Sequence, residues 1–296
     1  MNELVGTGVA LITPFTSDKK IDFTALENLV NYQIDNGINY LVVLGTTGET
    51  STLSKLEQNQ VKNKIIEVNN GRLPLVIGIG GNNTQVLIEE LQTSDLSDYV
   101  AVLSVSPYYN KPTQQGIYEH FKAVSEASSI PIILYNVPSR TGSNIEPNTV
   151  FKLANDCKNI VAIKEASGDF EQGLELLRNK PKDFMVISGE DKLSLPLTLA
   201  GGSGVISVIG QGLPGEFSQM IDLGLSGNSK EAFELFYRTM PSIDLIFAEG
   251  NPAGIKALLS ELNICELDVR LPLVCATIEL QQKIANFIVD FKILNN

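Results

Sequence analysis

The chain has 296 residues, 43% of them hydrophobic, and a formal net charge of −12 at pH 7. That is ample material for a large buried core. The acidic balance, with no basic stripe or basic-aromatic cluster, sets nucleic acid and anionic membranes aside as partners.

Cys157, Cys265 and Cys275 are odd in number and lack metal-ligand spacing, so neither a disulfide framework nor a zinc site is expected. No apolar run approaches the roughly 18 residues of a membrane span, and Met1-Asn2-Glu3-Leu4 does not open a secretory leader. The expected setting is a reducing, cytoplasmic one.

From the N-terminus a short apolar run, a turn rich in Gly, Pro, Thr or Asn, and an amphipathic stretch of helical length follow one another repeatedly. The runs cover 9–12, 40–44, 75–79, 100–105, 132–135, 160–164, 185–188 and 205–208. Helical stretches are predicted at 22–36, 54–69, 83–94, 114–127, 147–155, 169–179, 191–200 and 214–225. Ser54 and Thr84 are candidate caps, and Pro147 sits where a first helical position tolerates it. Eight βα units predict an α/β fold, a (β/α)8 TIM barrel over 1–225. The turn after the first strand lacks the GxGxxG spacing of a dinucleotide site. Beyond residue 225 the strand runs stop, and helices at 228–246, 252–262 and 275–292 predict a C-terminal helical region, 226–296, packed on the barrel.

In such a barrel the chemistry lies where the strands end. Strand 6, Ile160-Val161-Ala162-Ile163-Lys164, closes a buried run on a lysine. Burial favours the neutral amine, a nucleophile that condenses with carbonyl compounds to give a Schiff base. The plainer reading pairs Lys164 with Glu165. Strand 2 ends in Gly45-Thr46-Thr47-Gly48-Glu49, whose hydroxyls and backbone N–H groups suit a carboxylate; an ordinary turn is the alternative. Tyr135 ends strand 5, placed to move protons or simply to fill the strand, and Arg140 lies in a loop stiffened by Pro138, as a carboxylate clamp or a solvated side chain. His120, the one histidine, falls mid-helix and reads as structural, so no Ser-His-Asp arrangement can be built. No metal or other cofactor is implied.

With Gly45-Thr46-Thr47-Gly48-Glu49, Tyr135-Asn136-Val137-Pro138 and Ile163-Lys164 in this order, the chain resembles, over nearly its whole length, the pyruvate-dependent class I aldolases, the dihydrodipicolinate synthase/N-acetylneuraminate lyase family. Pro107-Tyr108-Tyr109-Asn110 and Arg140 resemble the synthase branch. The resemblance implies condensation of pyruvate with L-aspartate 4-semialdehyde to 4-hydroxy-tetrahydrodipicolinate, on the diaminopimelate route to lysine. Lys164 would form the imine, and Tyr135, Thr47 and Tyr109 would relay protons, Tyr109 in a neighbouring subunit's site. Thr46 and Thr47 would hold the pyruvate carboxylate, Gly189 and the backbone of Ile206 would line the pocket, and Arg140 would hold the semialdehyde's carboxylate. A homotetramer, a dimer of dimers, is also implied. Lyases of sialic acid or 2-keto-3-deoxy sugar acids share Lys164 and Tyr135 and form the alternative, with a non-catalytic keto-acid sensor behind them. One departure stands out. Lysine-inhibited synthases place a histidine and a glutamate where this chain has Lys55 and Val86, while Asn82 and Tyr108 are kept, so weak lysine feedback is expected.

Overall fold

A computed structural model describes residues 2–293. Eight parallel strands close into a barrel in sequence order: β1 Gly6–Ala10, β2 Tyr40–Val43, β3 Leu75–Gly78, β4 Ala101–Val105, β5 Ile132–Asn136, β6 Ile160–Glu165, β7 Met185–Ser188 and β8 Gly204–Ser207. Every neighbouring pair is parallel, and β8 returns to β1 through Gly6↔Gly204. The predicted (β/α)8 architecture is the observed one.

Period-two alternation sorts each strand between two cores. Val42, Val76, Leu103, Ile133, Ala162 and Ile187 point into the barrel, where Tyr40 and Leu4 fill its N-terminal end. Alternate residues, among them Leu41, Ile132, Leu134, Ile163 and Val186, face outward into the layer shared with the helices. Tyr40 is fully buried, and its ring lies where a side chain on Gly8 would stand, so β1 needs glycine there. That explains why β1 begins three residues before its apolar run: Gly6-Thr7-Gly8 pairs as strand without offering an apolar pattern, and Leu11 and Ile12 are buried beyond the strand end.

The helices follow the predicted order with local corrections. Ser54 makes a capping box with Glu57, and Pro147 opens helix Pro147–Asp156. Thr84 is not a cap. Asn83 caps helix Thr84–Thr93, and the Thr84 hydroxyl lies 2.9 Å from His120 Nδ1. His120 is buried on helix Gln114–Ala127, and burial pushes its pKa down to about 4, so the ring is neutral at physiological pH. The stretch 191–200 divides into a one-turn helix, Asp191–Leu193, and helix Ser194–Leu199. After helix Pro214–Leu225 come Ser229–Phe247, Ala253–Glu261 and Ile278–Ile293. Their buried faces, including Phe236, Ile246, Leu258 and Ile284, join the core outside the barrel. Among the described residues no helix is long and apolar enough to cross a membrane.

Candidate active site

The alternation that builds the barrel also decides which way the strand-end side chains point. On β6, Ala162 is inside and Ile163 outside, so Lys164 points in and Glu165 out. Lys164 is 5% exposed, and Tyr135 stands beside it in register on β5. Its Nζ lies 4.4 Å from the centroid of the Tyr135 ring. Among the described residues it makes no ion pair and no hydrogen bond. Pairing with Glu165 is therefore ruled out. The Glu165 carboxylate is buried on the other face, where it accepts from Asn136 Nδ2 (3.0 Å), Gln172 Nε2 (3.0 Å) and Ser167 N (2.7 Å).

A cleft of about 320 Å³ opens above Lys164, and Thr46, Thr47, Tyr135, Arg140 and Gly189 all line it. The fit at Gly189 is tight. A Cβ there would come within 2.8 Å of Lys164 Cε, 2.9 Å of Lys164 Cγ and 2.7 Å of Ala166 Cβ, so the stem of Lys164 occupies space that only glycine leaves free. Ile206 belongs to the interior core below the cleft, and Val208 is the β8-side residue in its wall. Arg140 sits on a one-turn helix, Pro138–Thr141, rather than in an irregular loop; it is exposed at the cleft. Tyr109 does not line it. At φ 72° and 88% exposure, its ring projects from the surface.

The threonine turn is held rigidly. Thr46–Gly48 forms one 3-10 turn flanked by Leu44 at φ 56° and Glu49 at φ 52°, left-handed conformations that non-glycine residues adopt only where their surroundings fix them. Thr13 Oγ1 donates to Gly48 O (2.7 Å), and Thr50 Oγ1 donates to Leu44 O (2.9 Å). Below the turn, Glu49 and Lys256 form an ion pair of 2.6 Å with both side chains fully buried. Glu49 also accepts from Arg270 N (2.9 Å), and Lys256 donates to Asp268 O (2.7 Å). Burial pulls the Lys256 ammonium below the usual lysine range, against the opposing attraction of Glu49. The chain thus buries two lysines to different ends: Lys256 is held by a carboxylate and a backbone carbonyl, and among the described residues Lys164 has neither an ion pair nor a hydrogen bond.

Sequence reasoning missed Asn251, whose Nδ2 donates to Thr47 Oγ1 at 2.9 Å, and Phe247, which joins Asn251 in the cleft wall. Pro252 marked only a helix start, and nothing local links Asn251 to a turn 204 positions away. Among the described residues no group of three or more His, Cys, Asp or Glu side chains is arranged to hold a metal ion.

Residues 3–290 match the model of the dihydrodipicolinate synthetase family. The chain belongs to this family. It is 58% identical over 287 residues to a 4-hydroxy-tetrahydrodipicolinate synthase of Flavobacterium psychrophilum, covering 97% of this chain and 98% of that one. Dihydrodipicolinate synthase of Acinetobacter baumannii, solved with pyruvate, superposes with a TM-score of 0.94 at 38% identity, covering 98% of this chain and 99% of that one. The Cyanidioschyzon merolae enzyme, solved with lysine bound, gives a TM-score of 0.93 at 36% identity, covering 98% and 99%.

In this member of the dihydrodipicolinate synthetase family the Glu49–Lys256 pair fastens the C-terminal region beneath the threonine turn. Removing one partner leaves a buried charge uncompensated, at a cost of about 3–5 kcal/mol. Glu49→Gln is expected to lower the melting temperature by roughly 6–15 °C. Replacing both residues, Glu49→Gln with Lys256→Met, recovers most of the loss. Calorimetry of the three proteins checks this.

Proposed function

We propose that the chain condenses pyruvate with L-aspartate 4-semialdehyde to 4-hydroxy-tetrahydrodipicolinate, through an imine on Lys164. One observation carries the reading: a primary amine that among the described residues has no ion-pair or hydrogen-bond partner, enclosed at the mouth of the barrel over the Tyr135 ring and beside a threonine turn. The Lys164 amine adds to the keto carbon of pyruvate, and loss of water gives the imine. Loss of a methyl proton gives the enamine, whose carbon attacks the aldehyde of the second substrate. That substrate's own amine then displaces Lys164 from the imine carbon, closing the ring and freeing the lysine.

Tyr135 and Thr47, with Tyr109, relay the protons, a task for hydroxyl groups in a site that has no histidine. Thr46 and Thr47 hold the pyruvate carboxylate, and Gly189 and the backbone of Ile206 complete the pocket. The projection of Tyr109 away from its own cleft supports its insertion into a neighbouring subunit, and with it a homotetramer arranged as a dimer of dimers. The cytoplasm is the inferred setting. Arg140 clamps the carboxylate of the semialdehyde, and this favours the condensation over cleavage of a sugar acid, whose polyol chain calls for hydrogen-bonding groups instead.

Lysine regulation is inferred to be weak. Lys55 lies in a second cleft, of about 250 Å³, also lined by Lys62, Glu90 and Tyr108. Its ammonium pairs with Glu90 at 2.7 Å, which offsets part of its charge and engages a carboxylate that a ligand's ammonium would otherwise meet. Val86 is 51% exposed and offers no charge.

Arg140→Ala is expected to raise the KM for aspartate semialdehyde by about one to two decades, the worth of a charge-assisted contact of roughly 1.5–3 kcal/mol. The affinity for pyruvate survives in this variant. Steady-state kinetics with each substrate varied in turn checks this; equal constants in both proteins would remove Arg140 from the site, and turnover of N-acetylneuraminate instead of the condensation would favour the lyase reading. For lysine, inhibition weaker by about one to two decades than in a sensitive relative is expected. Titration calorimetry beside an inhibition assay decides it, and sub-millimolar inhibition would contradict it.

A further inference from the structure

The C-terminal region does more than cover the barrel, because one of its side chains determines what Thr47 can do. Thr47 is 3% exposed and Asn251 is 9% exposed, and both line the cleft above Lys164. Asn251 precedes helix Ala253–Glu261, and the same segment carries Lys256, which the buried pair with Glu49 fastens to the turn bearing Thr47. Arg270 adds a third tie, donating to Thr52 O (3.0 Å) and to Glu57 Oε1 (2.6 Å). The position of Asn251 against Thr47 is thus set from both sides of the contact.

A threonine hydroxyl has one hydrogen to give and two lone pairs to receive. Asn251 Nδ2 donates into one lone pair at 2.9 Å, so the hydrogen remains available for another acceptor. Donation into an oxygen also strengthens the bond that its own hydrogen can form. With the amide reversed, the hydroxyl would spend its hydrogen on the asparagine and present only lone pairs to the cleft, where they would repel a carboxylate. The observed polarity has a cost: among the described residues nothing donates to the buried Asn251 Oδ1.

We propose that Asn251 is a positioning residue of the pyruvate subsite, directing the Thr47 hydroxyl hydrogen toward the substrate's carboxylate, and that the C-terminal region is thereby part of the active site. This rests on the pyruvate reading above. Asn251 acts through Thr47 and takes no part in bond making.

Full-length wild type, Asn251→Ala, Asn251→Asp and Thr47→Val are compared by melting temperature, by steady-state kinetics and by the pyruvate concentration that half-saturates borohydride trapping. Asn251→Ala raises that concentration by about tenfold, the worth of one hydrogen bond to a charged group, and leaves the KM for the semialdehyde within about threefold. Asn251→Asp, which can only accept and adds a negative charge, raises it by about a hundredfold near pH 8. The excess over Asn251→Ala disappears as the pH falls and the new carboxyl takes up a proton, a recovery absent from Asn251→Ala. Thr47→Val leaves the C-terminal segment untouched and raises the half-saturating concentration at least as much as Asn251→Ala. Adding Asn251→Ala to Thr47→Val then changes it no further. The inference is overturned if the two Asn251 variants match at every pH, if they lose only melting temperature, or if Thr47→Val leaves pyruvate binding unmoved. Should wild type form no imine with pyruvate, the functional reading falls and takes this inference with it.

Discussion

A primary amine enclosed in a protein without a counter-charge is the constraint on which the rest of this structure depends. Burying a lysine is costly, and a chain that does so normally supplies a carboxylate or a set of acceptors. Lys256 has both, in Glu49 and Asp268 O. Lys164 has neither, and the carboxylate beside it in sequence faces the opposite side of β6, satisfied by two amides and a backbone N–H. The barrel meets the cost with geometry: the pleat turns Lys164 inward, register sets Tyr135 against it, and glycine at 189 clears its path.

The same geometry divides the labour of the chain. Strands β5 and β6 present the phenol and the amine respectively, the turn after β2 presents hydroxyls, and the short helix after β5 presents a guanidinium. The C-terminal helices contribute from outside the barrel, through Phe247 and Asn251 in the cleft wall and Lys256 beneath it. A region that resembles a covering layer therefore holds Glu49, at the end of the threonine turn, in an otherwise unfavourable left-handed conformation. Site and stability share one network there.

Much of this is legible in the sequence because barrels repeat a local pattern. An apolar run followed by turn residues and an amphipathic stretch identifies each βα unit, and the last residue of each run falls at the catalytic end. Lys164, Tyr135 and the glycine-threonine turn are found in this way. β1 is displaced because Gly6 and Gly8 pair as strand while Tyr40 supplies the apolar filling from the neighbouring strand. Arg140 is found, but its one-turn helix is too short to leave a periodic signal. Asn251 and the Glu49–Lys256 pair escape for a different reason. Their partners lie 204 and 207 positions away, and a contact at that separation leaves no trace in local composition or spacing. The fold is local information repeated, and the fine positioning of the site is not.

The most direct test of the account is to treat the protein with borohydride in the presence of pyruvate and map the adduct by peptide mass spectrometry. The account predicts one adduct, on Lys164, with Lys256 unmodified in the same sample and no adduct in Lys164→Ala. An adduct on Lys256 or another lysine, or an unchanged mass, would contradict it.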